Sequence, residues 1–156
     1  MTDWSLIEVE ALSKKAAKGA GYSWGQAEDA ARAVRWLEAR GLEGAAALAA
    51  VLEQKDAGLA DTACPILRGI SVSDGMSPAS ELAGGSEIVS PILLLPFADW
   101  AGESLDLGVE VGPEEVRSHT SGDTMKALGA FAHRTYAPAT EESRVQGAGA
   151  GLTDND

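Results

Sequence analysis

Ser5-Leu6-Ile7-Glu8-Val9-Glu10-Ala11-Leu12-Ser13-Lys14-Lys15-Ala16-Ala17-Lys18-Gly19-Ala20-Gly21-Tyr22-Ser23-Trp24-Gly25-Gln26 carries one helix-start signal twice, with a helix stop between. In Ser5-Leu6-Ile7-Glu8 the serine oxygen can accept from a free backbone N–H while the glutamate reaches back, a capping box. Such a cap contributes about 1 kcal/mol. Leu6, Val9, Leu12 and Ala16 follow at helical spacing and draw a single apolar stripe. Gly19 and Gly21 stop the helix, because glycine adopts the left-handed C-terminal conformation cheaply. Ser23-Trp24-Gly25-Gln26 then restarts it, and Ala27, Ala30, Ala31, Val34 and Leu37 carry the stripe to Gly41. The short link predicts an antiparallel helical hairpin.

Working outward, a third helix is expected from Glu43 to Asp56, with Ala45, Leu48, Ala49 and Leu52 on its apolar side. Residues 1–57 thus form a helical part. Residues 58–85 dissolve into Gly, Ser, Pro and Asp and read as an irregular, linker-like part, with one short strand near Ile66–Val72. Ile88-Val89-Ser90-Pro91-Ile92-Leu93-Leu94-Leu95-Pro96 is a nearly continuous apolar run flanked by prolines, the pattern of a strand buried on both faces. Leu105, Leu107, Val109 and Val111 alternate with Asp106, Gly108 and Glu110, the period of a half-buried strand. Val116–Thr120 offers a short pairing partner. A last helix should begin near Ser121-Gly122-Asp123 with Met125, Leu128, Phe131 and Ala132 inward, and Pro138 ends it or starts a new turn. Residues 86–146 are therefore read as a small sheet plus a C-terminal helix, and 147–156 as a Gly/Ala-rich tail. The whole is one α+β domain, an N-terminal helical bundle packed with a small mixed or antiparallel sheet.

The 156 residues suffice for a genuine core, and the 45% of apolar residues, rich in alanine, make wholesale disorder unexpected. Acidic residues outnumber basic ones 24 to 12, a formal charge of −12. Such a surface repels phosphate backbones and anionic lipid, so neither nucleic acid nor membrane is expected as a partner. Lys14, Lys15 and Lys18 make one loose cluster that reads as a solvated helix face. Cys64 is the lone cysteine, which fits a reducing compartment. With neither a signal-peptide pattern nor a span-length apolar stretch, the cytoplasm is the expected location.

No complete chemical motif stands out. Gly147, Gly149 and Gly151 alternate but lack the strand, the helix and the spacing of a dinucleotide fingerprint. His119, His133 and Cys64 are scattered without ligand spacing, so no metal and no cofactor is expected. There is no strained serine elbow between strand and helix. Cys64 precedes Pro65 without a basic neighbour before Arg68 and reads as a buried thiol.

One segment is denser in polar chemistry. His133-Arg134-Thr135-Tyr136-Ala137-Pro138-Ala139-Thr140-Glu141-Glu142-Ser143-Arg144 gathers imidazole, guanidinium, phenol, carboxylate and hydroxyl groups. Arg134 and Arg144, with Thr135 and Thr140 beside them, are suited to clamping a carboxylate or phosphate. His133 or Tyr136 could exchange a proton, with Glu141 orienting. The same residues equally suit a clasp of Arg–Glu pairs and hydroxyl caps that fixes the C-terminus to the core.

The stretch Ala16–Gly25, the run Pro91-Ile92-Leu93-Leu94-Leu95-Pro96-Phe97 and the closing His133–Glu141 with the tail ending Asp154-Asn155-Asp156 resemble a bacterial family known only as a domain of unknown function. The resemblance covers both ends and the middle run; 58–85 and 105–123 match poorly. It implies a fold and no activity. The hairpin from Ser5 to Gly44 is also similar in pattern to the N-terminal helices of the malate/lactate-dehydrogenase-like NAD(P)H-dependent oxidoreductases. Where those enzymes continue with Ser-His-Gly, this chain has Leu42-Glu43-Gly44-Ala45, so common hairpin design accounts for the likeness.

Two functions follow as expectations. The first is a non-catalytic accessory or interaction protein, a small subunit or homodimer, with Trp4, Tyr22 and Trp24 as exposed anchors. The second is a small enzyme or metabolite binder that takes an anionic ligand through the C-terminal His/Arg/Tyr/Glu segment.

Overall fold

In a computed structural model of the chain, residues 3–82 and 87–136 are described. Both capping boxes form. Ser5 accepts from the Glu8 N–H at 3.1 Å and Glu8 accepts from the Ser5 N–H at 2.9 Å, opening α1 (Leu6–Gly19). Ser23 and Gln26 repeat the exchange at the start of α2 (Trp24–Glu38). Gly21, at φ 113°, turns the chain between them. α3 spans Gly44–Asp56, and its inward Ala45, Leu48, Ala49 and Leu52 are those the periodicity picks out.

The α1/α2 hairpin is the centre of the molecule. α3 and α6 (Gly122–His133) close one side of it, and α4 (Pro65–Ser73) and α5 (Leu94–Trp100) lie against α2 on the other. Alanine makes the first contact possible: Ala16, Ala17, Ala27 and Ala30 are fully buried and let the helix backbones approach. Gly19 does the same for α6, since a Cβ there would run into the Phe131 carbonyl. Ser121 caps α6, and Met125, Leu128, Phe131 and Ala132 point inward as expected. The sheet among the described residues has two short antiparallel strands, β1 (Trp4–Ser5) and β2 (Arg117–Ser118), with Trp4 opposite Ser118. The class is α+β, with six helices described and very little sheet.

The structure moves the strands away from where the apolar runs suggested them. Ile66–Val72 lies inside α4: Pro65 sits at its first turn, where no amide donor is needed, and Ile66, Gly69 and Val72 face inward. The run from Ile88 to Pro96 is also not a strand. Ser90 turns left-handed at φ 48°, Pro91–Leu93 make a 3-10 turn, and α5 follows. Pro96 falls in the first turn of α5, where its missing N–H costs nothing. Leu94, Leu95, Phe97 and Ala98 are all buried, so all but the end of this short helix, where Asp99 is exposed, is apolar for the reason a central strand would be. Leu105 and Leu107 do turn partly inward in alternation, but among the described residues no strand pairs with that segment, and Val109 and Val111 are exposed. Val116–Thr120 does supply a pairing partner, to the residues just before α1.

Candidate functional site

The polar C-terminal segment begins where α6 ends. Arg134 gives two guanidinium nitrogens to the Asp56 carboxylate at 3.0 and 2.6 Å, tying the end of α6 to the end of α3. Those bonds hold the Asp56 carboxyl below its ordinary range. The guanidinium also covers the Phe131 ring, 4.6 Å from its centroid. Thr135 Oγ1 donates to the Ala132 carbonyl at 2.7 Å, a helix-end cap, and His133 is exposed. Tyr136 closes a 3-10 turn with Arg134. The Tyr136 side chain, Thr140, Glu141, Arg144 and the 147–156 tail lie outside the described residues.

Of the three aromatics expected as exposed anchors, Trp24 is 51% exposed and Trp4 is partly buried. Tyr22 is buried, its hydroxyl 3.2 Å from the Cys64 sulfur and its ring under the Lys55 ammonium. Burial first, and then the Cys64 contact, push the phenol's proton affinity upward. Cys64 is a buried free thiol.

A different surface has the features of a binding site. The shoulders of α1 and α2 frame an open groove with a cavity of about 410 Å³ whose wall includes Ile7, Ala11, Lys14, Ala31, Arg32 and Arg35. A second cavity of about 300 Å³ continues it past Trp36, Arg40, Trp100 and Glu114, with Glu10, Arg32 and Arg35 common to both. Helical geometry dictates this arrangement. Positions 7, 10–11 and 14 stack on one face of α1, and 28, 31–32 and 35 stack on the facing side of α2. Lys14 bridges to Glu28 at 2.9 Å and Arg35 to Glu10 at 2.7 Å across the hairpin. Arg40 binds Glu114 at 2.9 Å and lies over Trp36, 3.9 Å from the ring centroid. Arg32 lies 4.6 Å over Trp100, and its nearest carboxylate, Asp29, is 3.6 Å away. Burial raises the Asp29 carboxyl; Arg32 opposes this, while Asp74 and Glu28 add to it. The stacked guanidiniums are held in place yet keep edge N–H donors.

A third cluster holds the fold together at the C-terminal end of α2. Glu38, 4% exposed, accepts from Ser118 Oγ at 2.5 Å and from the Ala45 N–H at 3.1 Å. It therefore caps α3, whose own preceding residue Glu43 makes no side-chain cap. Ser118 Oγ accepts in turn from the Thr120 N–H at 3.2 Å. Beside it His119 is exposed and sits between Asp3, at 2.9 Å, and Glu115, at 3.1 Å. Asp3 and then Glu115 raise the imidazole's proton affinity. Among the described residues no three His, Cys, Asp or Glu side chains converge as a metal-binding group. No described helix is long and apolar enough to cross a membrane.

The sequence reading overlooked Arg32, Arg35, Arg40, Trp36 and Trp100. A signal was present, since Arg32, Arg35 and Trp36 recur at helical spacing within a segment already read as helix.

The class these observations define is a mostly helical α+β domain with a groove of ion pairs and aromatic rings on its central hairpin. The chain belongs to the DUF3726 family of proteins of unknown function, whose family model matches residues 4–85. That span holds α1 to α4, including both helical walls of the groove. No curated protein and no solved structure matches the chain.

Proposed function

We propose that the protein is a non-catalytic accessory or interaction subunit, acting in the cytoplasm, and that the α1/α2 groove is its contact surface. One observation carries the reading: Arg32, Arg35 and Arg40, the last two paired with Glu10 and Glu114, lie with Trp36 and Trp100 along one open groove. Arginine and tryptophan are the residue types that most often dominate protein–protein hot spots. An open groove favours a macromolecule, because a small molecule is held best where most of its surface is enclosed.

A photo-crosslinking residue in place of Ile7, 67% exposed, tests this in the native cell, with the same residue in place of Met76, 80% exposed, as control. A discrete adduct from the Ile7 position alone, lost when Arg32→Glu is added, supports the reading; an adduct at twice the chain mass identifies the partner as a second copy. No adduct, or the same adducts from both positions, refutes it.

The other reading, a small enzyme or metabolite binder using His133, Arg134, Tyr136 and Glu141 with Thr135, Thr140 and Arg144, is less supported. An anion bound by Arg134 would have to displace Asp56. A metabolite-library thermal shift on wild type and Arg134→Ala tests that reading, since a ligand stabilises the state it binds.

A further inference from the structure

Glu38 also borders a small recess away from the α1/α2 groove. The end of α2, the start of α3 and the approach to α6 frame a cavity of about 160 Å³ lined by Glu38, Leu42, Glu43, His119 and Thr120. Glu43 is at the same time the edge of a cavity of about 400 Å³, an open trough lined by Ala46, Ala47 and Ala50 of α3 and by Ile92 and Leu107. Those three alanines are only partly buried, on the side of α3 opposite its inward Leu48 and Leu52.

The recess carries negative charge that its surroundings do not cancel. Glu38 is met by a hydroxyl and an amide and by no cation, and the Glu43 side chain makes no hydrogen bond or ion pair among the described residues. No described lysine or arginine lines either cavity; the neighbouring Arg40 and Arg117 are turned to Glu114 and Asp3. His119 is held from both sides by Asp3 and Glu115, two carboxylates to one imidazole. Thr120 supplies an independent sign of a guest. It is 8% exposed and lines the recess, and its hydroxyl has no partner among the described residues. A nearly buried hydroxyl left unpaired favours a guest that pairs with it.

These features select the guest. No three carboxylate, imidazole or thiol groups converge among the described residues as a metal ion would require. The recess has room for an ammonium or guanidinium head but not for a drug-sized body. The stem behind that head leaves over Glu43 onto the alanines. From Glu43 to Ala50 the trough runs about 10 Å at 1.5 Å per residue, the reach of about three residues of extended chain. A free amine would leave this apolar surface wet, and an uncharged segment would leave the carboxylates unanswered.

We infer that recess and trough together bind a short extended segment of a partner protein, a basic side chain entering beside Glu38, Glu43 and Thr120 and its apolar neighbours lying on Ala46, Ala47 and Ala50. A chain of charge −12 also draws a basic segment in through its overall field. The site shares no lining residue with the α1/α2 groove, so it goes beyond the contact surface proposed above and is tested separately.

Titration of the isotope-labelled full chain, followed by amide chemical shifts, tests it. The probe is an end-blocked peptide with one lysine followed by valine and leucine. A glutamate-for-lysine counterpart and propylammonium serve as comparisons. The expected result is saturable shifts at Glu43, Ala47, Ala50 and Thr120. Binding should weaken about fivefold or more with Glu43→Gln, Thr120→Val or Ala50→Gln, and stay unchanged with Arg32→Glu. Glu43 is exposed and Ala50 partly so, and the undisturbed remainder of each spectrum verifies the fold. No shift at these positions, equal binding of the glutamate peptide, or indifference to all three substitutions overturns the inference. Loss of binding with Arg32→Glu would put the peptide in the α1/α2 groove and overturn it as well. So would propylammonium binding as tightly as the peptide, which would make the recess a site for free amines.

Discussion

Replacing Glu38 by alanine should loosen the junction of α2, α3 and β2 at once. In the native structure two buried donors end on this one carboxyl group, the Ser118 hydroxyl and the Ala45 amide. Alanine leaves both unpaired, at about 1–3 kcal/mol each when the group stays dry. Relief from burying an ionisable group works in the opposite direction, so the net loss should be about 2–4 kcal/mol. For a chain of this size that corresponds to a fall in Tm of roughly 5–15 °C. Urea unfolding followed by circular dichroism gives the value, and an unchanged m confirms that both proteins unfold from the same compact state.

The companion variant makes the argument specific. Ser118→Ala removes the hydroxyl, but strands one Glu38 oxygen and the Thr120 N–H. Because each single change orphans the other partner, the double variant should lose less than the sum of the two by about 1 kcal/mol or more. Strict additivity, with Glu38→Ala costing less than about 0.5 kcal/mol, would place Glu38 against water and refute the capping role.

Three further outcomes are expected. Gly69→Ala puts a methyl group into the Phe97 ring, and overpacking of about 1–3 kcal/mol should outweigh the helix-propensity gain; Phe97→Leu in the same chain should recover part of the loss in urea titrations. His119 has its proton affinity raised by Asp3 and Glu115 in the folded state, so its contribution is fully present below the ordinary histidine value near 6.5 and fades as pH rises through the higher folded value. The stability gap between wild type and His119→Asn should therefore narrow from pH 5.5 to 8.5, flanking about 6.5, and a gap that widens would contradict the geometry. Cys64 should react slowly with a disulfide reagent in buffer and quickly in denaturant, its rate following global opening; fast native labelling would contradict its burial beside Tyr22.

How much of this was legible depended on the range of the physics involved. The α1/α2 hairpin is encoded locally: a serine, an acid or amide three residues on and a glycine stop act within one turn, and both boxes closed as read. The same holds for α6, whose cap and inward residues were all in view. The run from Ile88 to Pro96 failed because continuous apolar character has no period. Buried strand and buried helix leave the same trace, and the prolines that suggested strand ends were acting as first-turn residues of a 3-10 turn and of α5. The alternation from Leu105 to Val111 failed differently: its period was right for its first half, but a strand also needs a neighbour, which composition does not reveal.

The helix misread as a strand and the missed groove have one physical cause. Because the 94–100 segment is helical, Phe97 points into α4 at Gly69, where only a hydrogen leaves room for its ring. Trp100, three residues on, packs edge-on against that ring at 5.3 Å and reaches the shoulder of α2. There it meets Arg32, which one face of α2 sets beside Arg35. An extended segment would alternate Phe97 and Trp100 differently and give no reason for the indole to arrive under that guanidinium. Alanine acts in parallel, since small side chains between α1 and α2 bring the backbones close enough for long charged side chains on the shoulders to span the gap. The groove is thus a product of packing between α1, α2 and α5. Its pairing of arginines with indoles is invisible to composition because it exists only once residues far apart in the chain share one face.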